Sequence, residues 1–110
     1  YRMSIRIQMD KLDSQPLLRI RGEITKETIG KITSKINRIS KLKIDIITLD
    51  LSETAFIDSC GLGAFVYLWR SIKEDKKELQ LLNPSPIVRD LLEESNLDKC
   101  FTIISNGSDR

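Results

Sequence analysis

Asp50-Leu51-Ser52-Glu53-Thr54-Ala55-Phe56-Ile57-Asp58-Ser59-Cys60-Gly61-Leu62-Gly63 is the stretch on which the fold turns. Residues 44–51, which run into it, are apolar and β-branched and end among Asp50, Ser52 and Glu53, the composition of a buried strand meeting a loop. Beyond it, Gly61, Ala64, Phe65, Leu68 and Ile72 recur at the spacing of one helix face, so residues 59–74 read as a helix. A serine therefore stands after a strand and a loop, at the first turn of a helix. Strand–loop–helix units of this kind build α/β proteins.

The flanks extend the pattern. Ile5, Ile7 and Met9 alternate, which predicts a strand over residues 4–9; Asp13-Ser14-Gln15-Pro16 has turn chemistry, and residues 17–24 read as the second arm of a hairpin. Ile29, Ile32, Ile36 and Ile39 line one helix face, with Thr25 or Thr28 as its cap. Gly30 inside that helix costs up to about 1 kcal/mol. Residues 78–82 form a short strand. The turn Asn83-Pro84-Ser85-Pro86 opens a third helix with Pro86 at its first position, Ile87, Val88, Leu91 and Leu92 facing inward, and Asn96 as a left-handed cap. Residues 101–104 make a last strand. The expected order is ββαβαβαβ: an α/β fold with a mixed sheet, an opening antiparallel hairpin, otherwise largely parallel strands, and packed helices. Residues 1–110 are expected to be one domain, frayed at 1–3 and 106–110.

Composition narrows the function. The chain has 110 residues, 40% hydrophobic and 31% charged, with a net charge of +2. Both signs are mixed along it, which gives no case for nucleic acid or an anionic membrane. The basic residues Lys73, Lys76 and Lys77 alternate with Glu74, Asp75 and Glu78 and read as a solvated helix end. The longest apolar run, 61–69, is far short of the ~20 residues a membrane span needs. No apolar segment of a signal peptide opens the sequence. Cys60 and Cys100 lack the spacing of a disulfide framework, so a reduced, cytoplasmic protein is expected. With no histidine and two distant cysteines, neither zinc nor another cofactor is expected.

Ser59 is the candidate site. The first amides of a helix lack intrahelical acceptors and the dipole there is positive, so a phosphate on Ser59 would be partly stabilised. Gly61 and Gly63 remove side chains near the hydroxyl and open it to another protein's active site, while Asp58 can cap the helix or orient the hydroxyl. The plainer alternative also stands: Asp-Ser before an apolar helix is an ordinary N-cap, and glycines serve close helix–sheet packing. A serine hydrolase is a remote alternative. Its elbow is Gly-x-Ser-x-Gly, Ile57 occupies the first glycine position, and there is no histidine base, so no catalytic residue is assigned. Cys60, at the helix start, is either a reactive thiol or, more simply, a small packing residue; Cys100 is expected to be buried. Leu62, Val66 and Trp69 widen the apolar arc of this helix to half its circumference, which calls for a covering neighbour within the fold or for a partner or homodimer face.

Residues 56–63, Phe-Ile-Asp-Ser-Cys-Gly-Leu-Gly, following the strand end at residues 47–52, resemble the signature of the STAS-domain anti-sigma factor antagonists. The resemblance extends to Gly22-Glu23-Ile24, Ser85-Pro86 and the stretch from Leu91-Leu92 to Leu97. It implies a STAS fold and a non-enzymatic switch: the unphosphorylated form binds an anti-sigma factor that is itself a serine kinase, and phosphorylation of Ser59 ends the binding. Asp58, Cys60, Gly61, Leu62, Gly63 and Thr25 would form the partner-binding surface. Cys60 stands where the family usually has a second serine, Thr25 where it usually has aspartate, and Asn96 where it usually has glycine. A STAS domain in another assembly, such as a stress-signalling scaffold or a transport accessory subunit, is the alternative.

Overall fold

The computed structural model describes residues 5–105. The expected frayed ends and Ser4 of the first strand lie outside that range. Strands β1 (Ile5–Leu12) and β2 (Gln15–Ile24) pair antiparallel around Asp13 and Ser14, all of β1 lying against Gln15 to Gly22 of β2. Both turn residues have positive φ, 54° and 68°, the handedness that joins twisted strands in two residues. Gln15 and Pro16 thus belong to the strand and not to the turn expected of them. Gln15 Oε1 accepts hydrogen bonds from the amides of Asp45 and Ile46 at 2.8 and 3.1 Å, tying the start of β2 to the start of the next strand.

After β2 come α1 (Ile29–Ile39), β3 (Ile46–Asp50), β4 (Thr54–Ile57) and α2 (Ser59–Glu74). Then follow β5 (Glu78–Leu82), α3 (Pro86–Glu94), a 3₁₀ turn at Leu97–Lys99 and β6 (Thr102–Ile104). The order is therefore ββαββαβαβ. The loop expected between β3 and α2 contains an extra strand, four residues long and too short to show a period. The sheet runs β1-β2-β3-β5-β6, with every pair after the opening hairpin parallel. β2 divides its free edge between two partners. Leu17 to Arg19 pair with β3, Gly22 to Ile24 pair with β4, and the register shifts between Gly22 and Glu23. Gly22 has φ 112°, a conformation side chains resist, so glycine makes this bend at low cost.

The helices fill one side of the sheet. Leu18, Ile20, Ile47, Leu49, Leu79 and Leu81 face Ile32, Ile36 and Ile39 of α1, Phe65, Leu68 and Ile72 of α2, and Val88 and Leu92 of α3 in one continuous core. Strand positions of the opposite parity carry a polar ladder instead. Arg19 donates to Asp50 at 3.0 Å, Gln80 to Thr48 at 3.0 Å and Thr102 to Glu78 at 2.8 Å.

Two packing expectations change. Cys60 and Cys100 are both exposed, Cys60 because its helical position points away from the sheet and Cys100 because it follows the 3₁₀ turn outside the core. Lys77 is not simply solvated. Its ammonium donates to the carbonyls of Ser40 and Leu42, tying the end of α2 to the end of α1. The wide apolar arc of α2 is covered from within: Leu62, Val66 and Trp69 pack against the core, and Trp69 meets Phe101 edge-on at 6.1 Å.

Candidate functional site

Asp58 organises the region around Ser59. Its amide donates to Ile24 C=O at 3.0 Å, which carries the β2–β4 pairing up to the cap of α2. Its side chain then turns both oxygens to use. Oδ1 accepts from the Gly61 amide at 2.8 Å and caps the helix; Oδ2 accepts from the Lys26 amide at 3.2 Å, in the β2–α1 loop. One carboxylate therefore fixes two helix starts relative to each other. The cap is Asp58, and Ser59 is the first residue inside the helix.

The β2–α1 loop is built on two threonines. Thr25 N–H donates to Thr28 Oγ1 at 2.9 Å, and that hydroxyl donates to Glu23 C=O at 2.7 Å. Thr25 C=O accepts from the amides of Thr28 and Ile29. Thr28 is the helix cap by position, but its side chain secures the loop and makes no cap bond within α1. Thr25 is only 2% exposed, so its side chain supports the loop from inside instead of facing a partner. The residues it presents are Lys26 and Glu27, both exposed; Thr25 Oγ1 donates to Glu27 Oε1 at 3.1 Å. A carboxylate thus stays close to the position where the resemblance expected Asp in place of Thr25. No motif marks Lys26 and Glu27; the β2–β4 pairing and the Lys26–Asp58 hydrogen bond across the fold bring their loop to the start of α2.

Ser59 is exposed, and among the described residues its hydroxyl makes no hydrogen bond. The amides of Ser59 and Cys60 lie in the helix's first turn, where no intrahelical acceptor exists. The two glycines that follow are not equivalent. A Cβ at Gly61 would lie 2.8 Å from Ile57 Cγ1 and 2.9 Å from Ile24 C=O, so Gly61 lets the helix rest on β4 and β2. At Gly63 a Cβ would meet nothing within 4 Å. The expected phosphorylation site Ser59 is exposed; of the expected partner-binding residues, Cys60 and Gly63 are exposed, Asp58 and Leu62 are half-buried, and Gly61 and Thr25 are buried. Among the described residues no cluster of His, Cys, Asp and Glu could hold a metal, and no helix is long and apolar enough to cross a membrane.

The model of the STAS domain family matches residues 6–109. This chain belongs to the STAS domain family. It is 27% identical over 105 residues to an anti-sigma F factor antagonist of Paenibacillus polymyxa, covering 94% of this chain and 90% of that protein. An anti-sigma-B factor antagonist of Listeria monocytogenes is 28% identical over 102 residues, 92% and 90% of the two chains. The fold matches the anti-sigma factor antagonist SpoIIAA in its unphosphorylated form with a TM-score of 0.77 and 23% identity, over 94% of this chain and 90% of that one. The Bacillus SpoIIAA in its phosphorylated form matches at 0.72 and 22%, over 94% and 93%. In these terms Ser59 is the solvent-facing serine of a STAS domain, on a helix start braced by Asp58.

Proposed function

We propose that this STAS domain is an anti-sigma factor antagonist whose unphosphorylated form binds an anti-sigma factor serine kinase and frees a sigma factor, and that phosphate on Ser59 switches it off. One observation carries the reading: the Ser59 side chain is exposed and, among the described residues, unbonded, on a turn that Asp58 braces from both carboxylate oxygens. A kinase needs a free hydroxyl at a fixed position, and the chain supplies one beside an open Gly63. The names of the curated relatives, and the existence of SpoIIAA in both phosphorylation states, support the same reading.

In this reading the chain is a docking module and not an enzyme; ATP and catalysis belong to the partner. The phosphate adds about −1.5 to −2 charges at neutral pH. In the free protein the amides of Ser59 and Cys60 and the helix dipole offset that charge, so the fold stays intact. At the docking face the same charge meets groups that were complementary to a neutral hydroxyl, and binding falls.

The test is phosphorylation with the cognate kinase and ATP, followed by mass mapping. One phosphate at Ser59, and loss of kinase capture by the phosphoprotein, is the expected result. Phosphate at Ser52, Ser85 or Ser95 with Ser59 unmodified overturns the assignment.

A further inference from the structure

The two edges of the sheet are unequal. β6 is three residues long, whereas β1 runs for eight, contains no proline and keeps unbroken register with β2 from Ile5↔Gly22 to Leu12↔Gln15. A long regular edge is a template for another strand unless its side chains prevent it. Here they have a pattern. In a two-residue hairpin the pair next to the turn exchanges hydrogen bonds, so Leu12, Asp10, Gln8 and Arg6 bond to β2. Ile5, Ile7, Met9 and Lys11 turn their N–H and C=O groups outward.

We propose that two copies of this chain join through β1, antiparallel, with Ile7 of one copy opposite Met9 of the other and Gln8 opposite Gln8 on the two-fold axis. Outward-facing residues can pair only with outward-facing residues, which leaves registers two residues apart. The proposed register gives every outward residue a partner, Ile5 meeting Lys11. It also sets Arg6 opposite Asp10 twice, on the polar face of the sheet. Sliding by two residues either way leaves Lys11 or Ile5 without a partner residue in β1 and separates the charges.

The free chain leaves these groups available. Arg6 has no ion pair among the described residues. Asp10 has a 3.8 Å contact with Arg19 and accepts from the outward Lys11 amide at 2.8 Å, an exposed bond that pairing exchanges for the Ile5 carbonyl and the Arg6 guanidinium of the other copy. On the helix side of the sheet, Ile7 is half-buried and Met9 is 46% exposed. Met9 borders an open groove of about 540 Å³ lined also by Ile39, Leu42 and Ile44. Pairing sets Ile7 of each copy against Met9 of the other and withdraws both from water. The contact is isologous, so it closes as a dimer. β1 lies on the opposite side of β2 from β4, so this contact is distinct from the one proposed at Ser59.

The experiment is sedimentation velocity over a concentration series on the purified chain alone, so its outcome does not depend on any anti-sigma factor. A monomer–dimer equilibrium is expected. Asp10→Arg should weaken it about tenfold, since two attractive cross-strand pairs become repulsive. Adding Arg6→Asp should restore it. Met9→Pro should give monomer with its melting temperature kept, because it removes an outward N–H and none of the bonds to β2. In a Cys60→Ser, Cys100→Ser background, Gln8→Cys should form a disulfide-linked dimer on mild oxidation and Arg6→Cys should not, since only residue 8 faces itself at about 4.5 Å. A chain monomeric up to its solubility limit overturns the proposal, including in favour of a strand from another protein as occupant. So does a dimer that survives Met9→Pro, or equal cross-linking at residues 6 and 8.

Discussion

Ser59 and Ser85 occupy comparable places and have opposite surroundings. Each follows a strand and stands at the start of a helix: Ser59 is the first residue of α2, and Ser85 immediately precedes α3. The Ser85 hydroxyl donates to Thr54 C=O at 2.6 Å, and its amide donates to Leu51 C=O at 3.1 Å, so it ties α3 to the β3–β4 connection. The Ser59 hydroxyl makes no such bond among the described residues, because Asp58 has taken over the cap. A capping carboxylate one residue earlier frees the serine from structural duty. A serine with a free hydroxyl and a structural one are separated by which neighbour satisfies the helix amides, not by the element they begin.

The strongest way to break this comparison is to charge each serine. Ser59→Asp should weaken binding to the anti-sigma factor kinase at least a hundredfold, roughly 3 kcal/mol of like-charge and desolvation cost at the docking face. Its melting temperature should stay near wild type, since a helix N-terminus gains about 0.3–1 kcal/mol from a negative charge. Titration calorimetry and thermal melting measure the two. Ser85→Asp should instead lower the melting temperature. A carboxylate there faces the Thr54 carbonyl without a proton to donate. Equal kinase affinity for authentic phospho-Ser59 and unmodified protein would defeat the switch.

The glycines sharpen the contrast within one turn of α2. Gly61→Ala should destabilise by about 1–3 kcal/mol, because its Cβ would press on Ile57 and the Ile24 backbone. Gly63→Ala should stabilise by about 0.5–1 kcal/mol, since its Cβ meets nothing and alanine is the better helix former. Urea denaturation should show opposite signs. If Gly63 is part of the docking face, the same substitution should also slow phosphorylation of Ser59.

The smallest effects concern removal of the hydroxyls. Ser85→Ala should cost about 1 kcal/mol for the lost half-buried hydrogen bond. Ser59→Ala should change stability by less than about 0.5 kcal/mol. Had Ser59 itself been the cap, its loss would cost about 1 kcal/mol. Asp58→Ala carries that cost instead, and more where Lys26 loses its acceptor. Denaturant midpoints for the three variants decide among these.

The sequence by itself determined the elements that carry their own period or punctuation. The alternation of Ile5, Ile7 and Met9, the four isoleucines of α1, the apolar face of α2 from Gly61 to Ile72, and Pro86 opening α3 all reappear in the structure, because each is a local pattern that burial on one face requires. So does Asn96, left-handed at φ 59° after α3. The Asp58-Ser59 start of α2 was legible for the same reason. Only the tertiary structure decided the rest. β4 is a strand because β2 bends at Gly22 and offers it an edge, and four residues hold no period to announce that. Gly61 and Gly63 look alike until Ile24 and Ile57 approach one of them. The loop of Lys26 and Glu27 meets the start of α2 through the β2–β4 pairing and an Asp58 hydrogen bond that joins residues 32 apart in sequence. Thr25 sits inward and Cys100 outward for reasons of packing that no local pattern records. Patterns with a period are written along the chain; contacts between distant segments depend on how the sheet bends and which edges it leaves open.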